Sequence, residues 1–232
     1  RHVAVSFGYA EEHHSGQLQF MQEYYGAAAK LRRFLTIVAR VCNHTERSAA
    51  PILLSEEAEP FVIRDGQLSV GLQDRNWFTH MPARLMEVYW RCARHEAHLS
   101  RYTERLVMEN LHLVNEAFRS SDLVRRFFIG LCNRPLQAGP ALRQAAAVGL
   151  LGRYIPEFGE IQGVLRYEDF HHYPVDEHTI RAVEALGLLD SMEGPVGRCL
   201  REALDHLSDP SILVMAILFH DLGKSAGEAH VE

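Results

Sequence analysis

Near its end the chain reads "SDPSILVMAILFHDLGK", residues 208–224. An apolar run stops on His220 and Asp221, two side chains that resist burial unless something offsets the cost. Upstream, "YPVDEHTIRAVEALGLLD" (173–190) places His178 near the start of a second helical pattern. Adjacent helical residues diverge by about 100°, so His220 and Asp221 can both reach only an object lying between them. A divalent cation suits that sector: imidazole nitrogen and carboxylate oxygen are compatible ligands, and the ion's charge offsets burial of the carboxylate. His178 from the neighbouring helix would complete a His, His-Asp cluster with positions left open for water. The doublet alone is weak, because 14 histidines and nine aspartates in 232 residues produce about half a His-Asp pair by chance. A structural histidine stabilised by the helix dipole is the competing reading.

The helices that must present these groups carry recognisable signals. Asp209-Pro210 is a cap followed by a first-turn proline, and the body after it is apolar nearly all round, which predicts a buried helix. Pro174 precedes the His178 helix and Asp176 is placed to cap it. On that helix His178, Ala182, Ala185 and Leu189 share a face, and the small alanines would let a partner helix come close.

The rest of the chain reads as mostly helix. Leu18, Met21, Tyr25, Ala28 and the apolar residues from Phe34 to Val38 recur at helical spacing between Gln17 and Val41, with Tyr24-Tyr25 as packing aromatics. "FVIRDGQLSV" (61–70) alternates around Asp65-Gly66, a strong hairpin signal. "MPARLMEVYWRCARHEA" predicts a helix with Pro82 in its first turn and Leu85, Val88, Tyr89 and Cys92 facing inward. "SRYTERLVMENLHLVNEAF" predicts one continuous helix with Leu106, Met108, Leu111, Val114 and Phe118 in the core. "SSDLVRRFFIGLCN" begins after a cap signal at Ser121-Asp122. "RPLQAGPALRQAAAVGLLGRYIPEFG" gives a loop, a short Ala-rich helix and a break at Pro156. The fold class is therefore all-α, mainly helical, with one small hairpin at 61–70.

Composition narrows the function. Hydrophobic residues at 47% and charged residues at 23% are those of a folded globular protein. A formal net charge of -6 argues against general DNA or RNA binding, which needs a basic face. The longest strongly apolar run, Ile212 to Phe219, is too short to span a membrane. Cys42, Cys92, Cys132 and Cys199 show no C-x-x-C spacing, so reduced thiols in a cytoplasmic protein are expected. His13-His14, His44, His80, His95, His98, His112 and His206 fit no ligand spacing with one another.

Four stretches carry a family resemblance: "FMQEYYGAAAKL" (Phe20 to Leu31), "GLLGRYIPEFGEIQGVLRYEDFHHYPVDEHTI" (Gly149 to Ile180), "ILFHDLGK" (Ile217 to Lys224) and "GEAHVE" (Gly227 to Glu232). "LFHDLGK" with an upstream "VDEHTI" resembles the HD metal-dependent phosphohydrolase superfamily. All four, in this order, resemble the bifunctional uridylyltransferase/uridylyl-removing enzymes that modify the nitrogen-signalling PII protein. The resemblance implies a helical domain over 1–148, following a nucleotidyltransferase domain whose signature is not in these residues. It implies the first part of an HD domain over 149–232, the closing Asp ligand belonging to a later helix.

Position by position, the resemblance makes His178, His220 and Asp221 metal ligands and adds His230. Lys224 would be a catalytic group neutralising a phosphate oxygen, or a solvated lysine at a helix end. One of His171 and His172 could support a ligand. The implied cofactor is a divalent metal, Mg²⁺ or Mn²⁺, which would supply an activated water and charge stabilisation for releasing UMP from uridylylated PII. The implied partners are PII and, through the parent enzyme, UTP and UMP, with no nucleic acid and no membrane. These residues alone are expected to be inactive. The alternatives are a non-catalytic helical scaffold or PII-docking module, or an HD phosphohydrolase acting on another substrate.

Overall fold

A computed structural model of the chain describes residues 5–9, 14–42, 52–53, 61–71, 76–164 and 173–225. The elements are α1 (His14–Cys42), β1 (Ile52–Leu53), β2 (Phe61–Arg64), β3 (Gln67–Val70), α2 (Trp77–His80), α3 (Arg84–His95) and β4 (His98–Leu99). They continue as α4 (Arg101–Glu109), a 3₁₀ turn at Leu111–Leu113, α5 (Glu116–Arg119), α6 (Asp122–Cys132), α7 (Pro135–Val148), α8 (Leu150–Tyr154) and α9 (Pro156–Glu160). The last are α10 (Val175–Gly187), α11 (Gly194–Asp205), α12 (Pro210–Phe219) and a 3₁₀ turn at Leu222–Ser225. The mainly helical class holds.

The hairpin forms as its turn residues dictate. Asp65 and Gly66 both adopt positive φ, 52° and 70°, which matches the right-handed twist of the flanking strands. Phe61 pairs with Val70 and Arg64 with Gln67, and Phe61, Ile63, Leu68 and Val70 are buried on one face. The sheet is larger than a hairpin. β1 adds antiparallel to β2 and β4 adds parallel to β3, in the order β1-β2-β3-β4. Two-residue strands leave no alternation to read. Thr103, from the first turn of α4, accepts a hydrogen bond at its Oγ1 from the Val70 amide at 3.0 Å, tying helix to sheet.

α3 is the central helix, with Leu85, Val88, Tyr89 and Cys92 all buried as predicted. Glu87 is buried too, and accepts two bonds from Arg91 at 2.7 and 2.8 Å. The Arg91 guanidinium lies 4.0 Å over the Phe61 ring, so this ion pair also anchors the sheet. The helix expected over 100–118 is broken. Asn110 ends α4, and Asn115 caps α5 by accepting from the Phe118 amide at 3.1 Å. Within α4, Val107 lies one turn after the buried Thr103 and is fully buried, whereas Met108 is exposed. Ser121 caps α6 as predicted, accepting from the Val124 amide.

The segment expected as a loop and short helix is instead α7, 14 residues long with Pro140 inside it. The helix starts at Pro135, where a missing N–H costs nothing, and ends at Gly149, whose φ of 88° is left-handed. Pro156 opens α9. One further expectation fails: α12 is buried only along Ser211, Val214 and Leu218, with Ile212 and Phe219 exposed. α1 forms over the expected residues, with Tyr24, Leu31, Phe34, Leu35 and Val38 exposed and Tyr24 packed edge to face on Tyr25. No helix among the described residues is long and apolar enough to cross a membrane.

Candidate metal centre

Helix α10 lies on α7 in the most extensive helix pairing among the described residues, and α12 packs against both α10 and α6. The close approach of α7 and α10 comes from glycines, not from the alanines of α10. A Cβ at Gly139 would sit 2.6 Å from the Glu184 Cα, and one at Gly187 would sit 2.8 Å from the Leu136 carbonyl oxygen. Ala185 is exposed. The cap expectation for α10 is also corrected. Pro174 occupies the cap position, and Asp176 instead accepts from the Gly163 amide at 3.0 Å, holding the turn before the helix. Burial raises the Asp176 pKa above the usual carboxylate range.

At the facing ends of α10 and α12, His178, His220 and Asp221 converge. One ligand atom from each lies within 4.8 Å of the others, and this is the one such trio of His, Cys, Asp or Glu among the described residues. The two imidazole centroids are 5.7 Å apart. Asp209 accepts from the Ser211 amide at 3.1 Å and from its hydroxyl at 2.5 Å, starting α12 so that it ends at His220.

The His220 tautomer bears on whether the trio can take a cation. His220 Nδ1 is 2.6 Å from the Ile217 carbonyl oxygen. A carbonyl only accepts, so Nδ1 carries the proton and, in the neutral ring, Nε2 presents a bare lone pair. That nitrogen lies 3.4 Å from Asp221 Oδ2. Two acceptors facing each other require a positive charge between or beside them, from a proton or a cation. The separation is long for a charge-assisted hydrogen bond, and it matches the spacing of neighbouring ligands held about 2.1 Å from one ion in tetrahedral geometry. A backbone carbonyl fixing the ligand's tautomer is a recurring support in metal sites. The trio therefore fits a divalent cation.

The structure leaves other predicted site residues open. Lys224 lies in the 3₁₀ turn after the doublet, with its side chain outside the description; His171, His172 and His230 fall outside the described residues. Of the remaining histidines, His98 meets Gln144, His112 the Glu109 carbonyl and His206 the Glu202 carbonyl, as local contacts. Sequence reading missed Arg143 of α7. It donates to Glu177 at 2.9 Å and, through Nη2 at 2.6 Å and Nε, to both oxygens of Glu184. Burial alone would lower the Arg143 pKa; hydrogen bonds to Glu184 and Glu177 outweigh it and hold the pKa above its ordinary value. The only legible hint was that Glu177 and Glu184, seven apart, share a helix face.

The fold and trio define a helical protein with a candidate metal centre. The family model described as "Uridylyltransferase GlnD third domain" matches residues 61–154. Bifunctional uridylyltransferase/uridylyl-removing enzymes align along the chain. Those of Pseudomonas putida and Pseudomonas aeruginosa are 29% and 30% identical over its full length, and that of Nitrosococcus oceani is 30% identical over 98% of it. The chain spans 26% of the length of each of these relatives. The chain is thus similar along its length to about one quarter of the bifunctional uridylyltransferase/uridylyl-removing enzymes, and its residues 61–154 match their third domain.

Proposed function

We propose that this chain is the helical platform and the opening part of the hydrolase domain of an enzyme that attaches UMP to PII and removes it. The helical domain is assigned to 1–148 and the HD-type part to 149–232, a division at left-handed Gly149. In this reading His178, His220 and Asp221 hold a divalent cation, and His230 adds a ligand from the segment after the doublet. The carrying observation is the bare Nε2 of His220 turned toward Asp221, with His178 beside it.

The bound cation would activate water and stabilise charge on the phosphodiester. Mn²⁺ suits the mixed donor set, since imidazole is a poor ligand for Mg²⁺. Among the chain's own groups, the Ile217 carbonyl orients His220, Asp221 is held buried, and Lys224 offers a positive charge to a phosphate oxygen. UTP and UMP are then substrates and products of the parent enzyme, in the cytoplasm, with uridylylated PII as the substrate of this half-site.

Calorimetric titration with Mn²⁺ tests the reading. Binding should be seen with the wild-type chain and lost in His220→Ala and Asp221→Ala, each still helical by circular dichroism. Equal binding by those variants would remove the metal centre.

A further inference from the structure

Residues that hold a ligand helix in place matter as much as the ligands when donor atoms must meet within a few tenths of an ångström. His178 reaches the trio only through the placement of α10, and α10 is fixed on one side by α7. Two independent devices set that placement. The glycine contacts at Gly139 and Gly187 bring the backbones together with no side chain between them. The Arg143 guanidinium then bridges two glutamates of α10, one on the residue preceding His178 and one two turns later.

Those glutamates differ in what else they hold. Glu177 also accepts from Arg181 at 2.7 Å, but Arg181 lies on α10 itself and is half exposed. That pair therefore cannot position the helix against anything. Arg143 is the partner that crosses from one helix to the other, and it is the better buried of the two arginines. Its planar fork meets the Glu184 carboxylate with two parallel bonds while the remaining nitrogen meets Glu177. This geometry resists both sliding and rotation of α10, which a lysine point charge would not. Arg143 lies inside the segment matched by the third-domain model, 61–154, and His178 lies beyond it.

We propose that Arg143 is a positioning residue for the metal centre: from α7 it clamps Glu177 and Glu184 and so holds His178 of α10 in register with His220 and Asp221. The proposal rests on the metal reading above. Arg143 touches none of the ligands; it acts through the helix that carries one of them.

Mn²⁺ affinity of the chain, read by the loss of free-ion electron paramagnetic resonance signal, tests it. Arg143→Met should weaken Mn²⁺ binding about tenfold, the lower end for changes that disturb ligand orientation. Arg143→Lys should fall between Met and wild type, and Arg181→Ala should stay within about twofold of wild type. A metal-free readout accompanies these. The His178 ring proton resonance should shift or broaden in Arg143→Met while that of His206, at the C-terminal cap of α11, is unchanged. Should Arg143→Met fail to fold, Glu184→Gln keeps the side-chain shape and loosens one arm of the fork, and the same weakening is expected. Loss of thermal stability with unchanged Mn²⁺ affinity and an unmoved His178 signal would overturn the positioning role. Absence of Mn²⁺ binding by the wild type would instead sink the metal centre itself, whatever Arg143 does to the ring signal.

Discussion

Gly139→Ala asks how tightly α7 and α10 are fitted. In an isolated helix the change is favourable by about 1 kcal/mol, because alanine loses less backbone freedom than glycine. Here the new methyl would lie 2.6 Å from the Glu184 Cα and 2.9 Å from its amide nitrogen. Carbon atoms rest about 3.5–4.0 Å apart, so the helices must separate by about 1 Å. Two of the three nearest atoms are backbone and cannot rotate away, which places the cost near the upper end of the ~1–3 kcal/mol typical of overpacking. The net expectation is a loss of about 2 kcal/mol. Urea unfolding followed by circular dichroism measures it. Gly26→Ala on α1 serves as the control, since a Cβ there meets nothing within 4 Å and the substitution should be neutral or stabilising. If Gly139→Ala matched or exceeded wild-type stability, the close-contact reasoning would be refuted.

Other substitutions separate further parts of the account. Thr103→Val removes the acceptor for the buried Val70 amide and should cost about 1–3 kcal/mol in the same urea assay; no change would show that the amide finds another partner. Asp209→Ala removes the cap of α12 and should lower stability by about 1 kcal/mol, measured as a fall in Tm. For the thiols, burial raises the pKa values of Cys92 and Cys132, the latter to about 12, whereas Cys199 is exposed. Of these three, Cys199 alone should be alkylated under native conditions at pH 8, with the other two following only in denaturant, as read by peptide mass spectrometry.

What was legible in the sequence follows the range of the interactions. Local signals held: Asp65-Gly66 turned the hairpin, Ser121 capped α6, and Asp209-Pro210 started α12. The His178, His220 and Asp221 grouping was also reachable, because ligand chemistry restricts which residue types can meet. Periodicity overran the interruption at Asn110, which ends α4, and within α4 Val107, on the face of Thr103, holds the buried position expected of Met108. Apolarity alone overstated the burial of α12, since composition does not say which face finds a neighbour. The Arg143 fork was out of reach: its partners lie 34 and 41 residues away, and nothing in a local window pairs one arginine with two particular glutamates.

The side chains of His220 and Asp221 differ sharply in exposure, 42% against 4%. Neighbours in the chain, they straddle the boundary between water and core. An ion bound between them would be anchored from beneath and approachable from above. Loading and stripping should then be limited by how fast the ion exchanges its waters, with no breathing of the protein required. A chelator added to the intact chain should withdraw the ion well below the onset of unfolding, from the side on which, among the described residues, His220 is exposed.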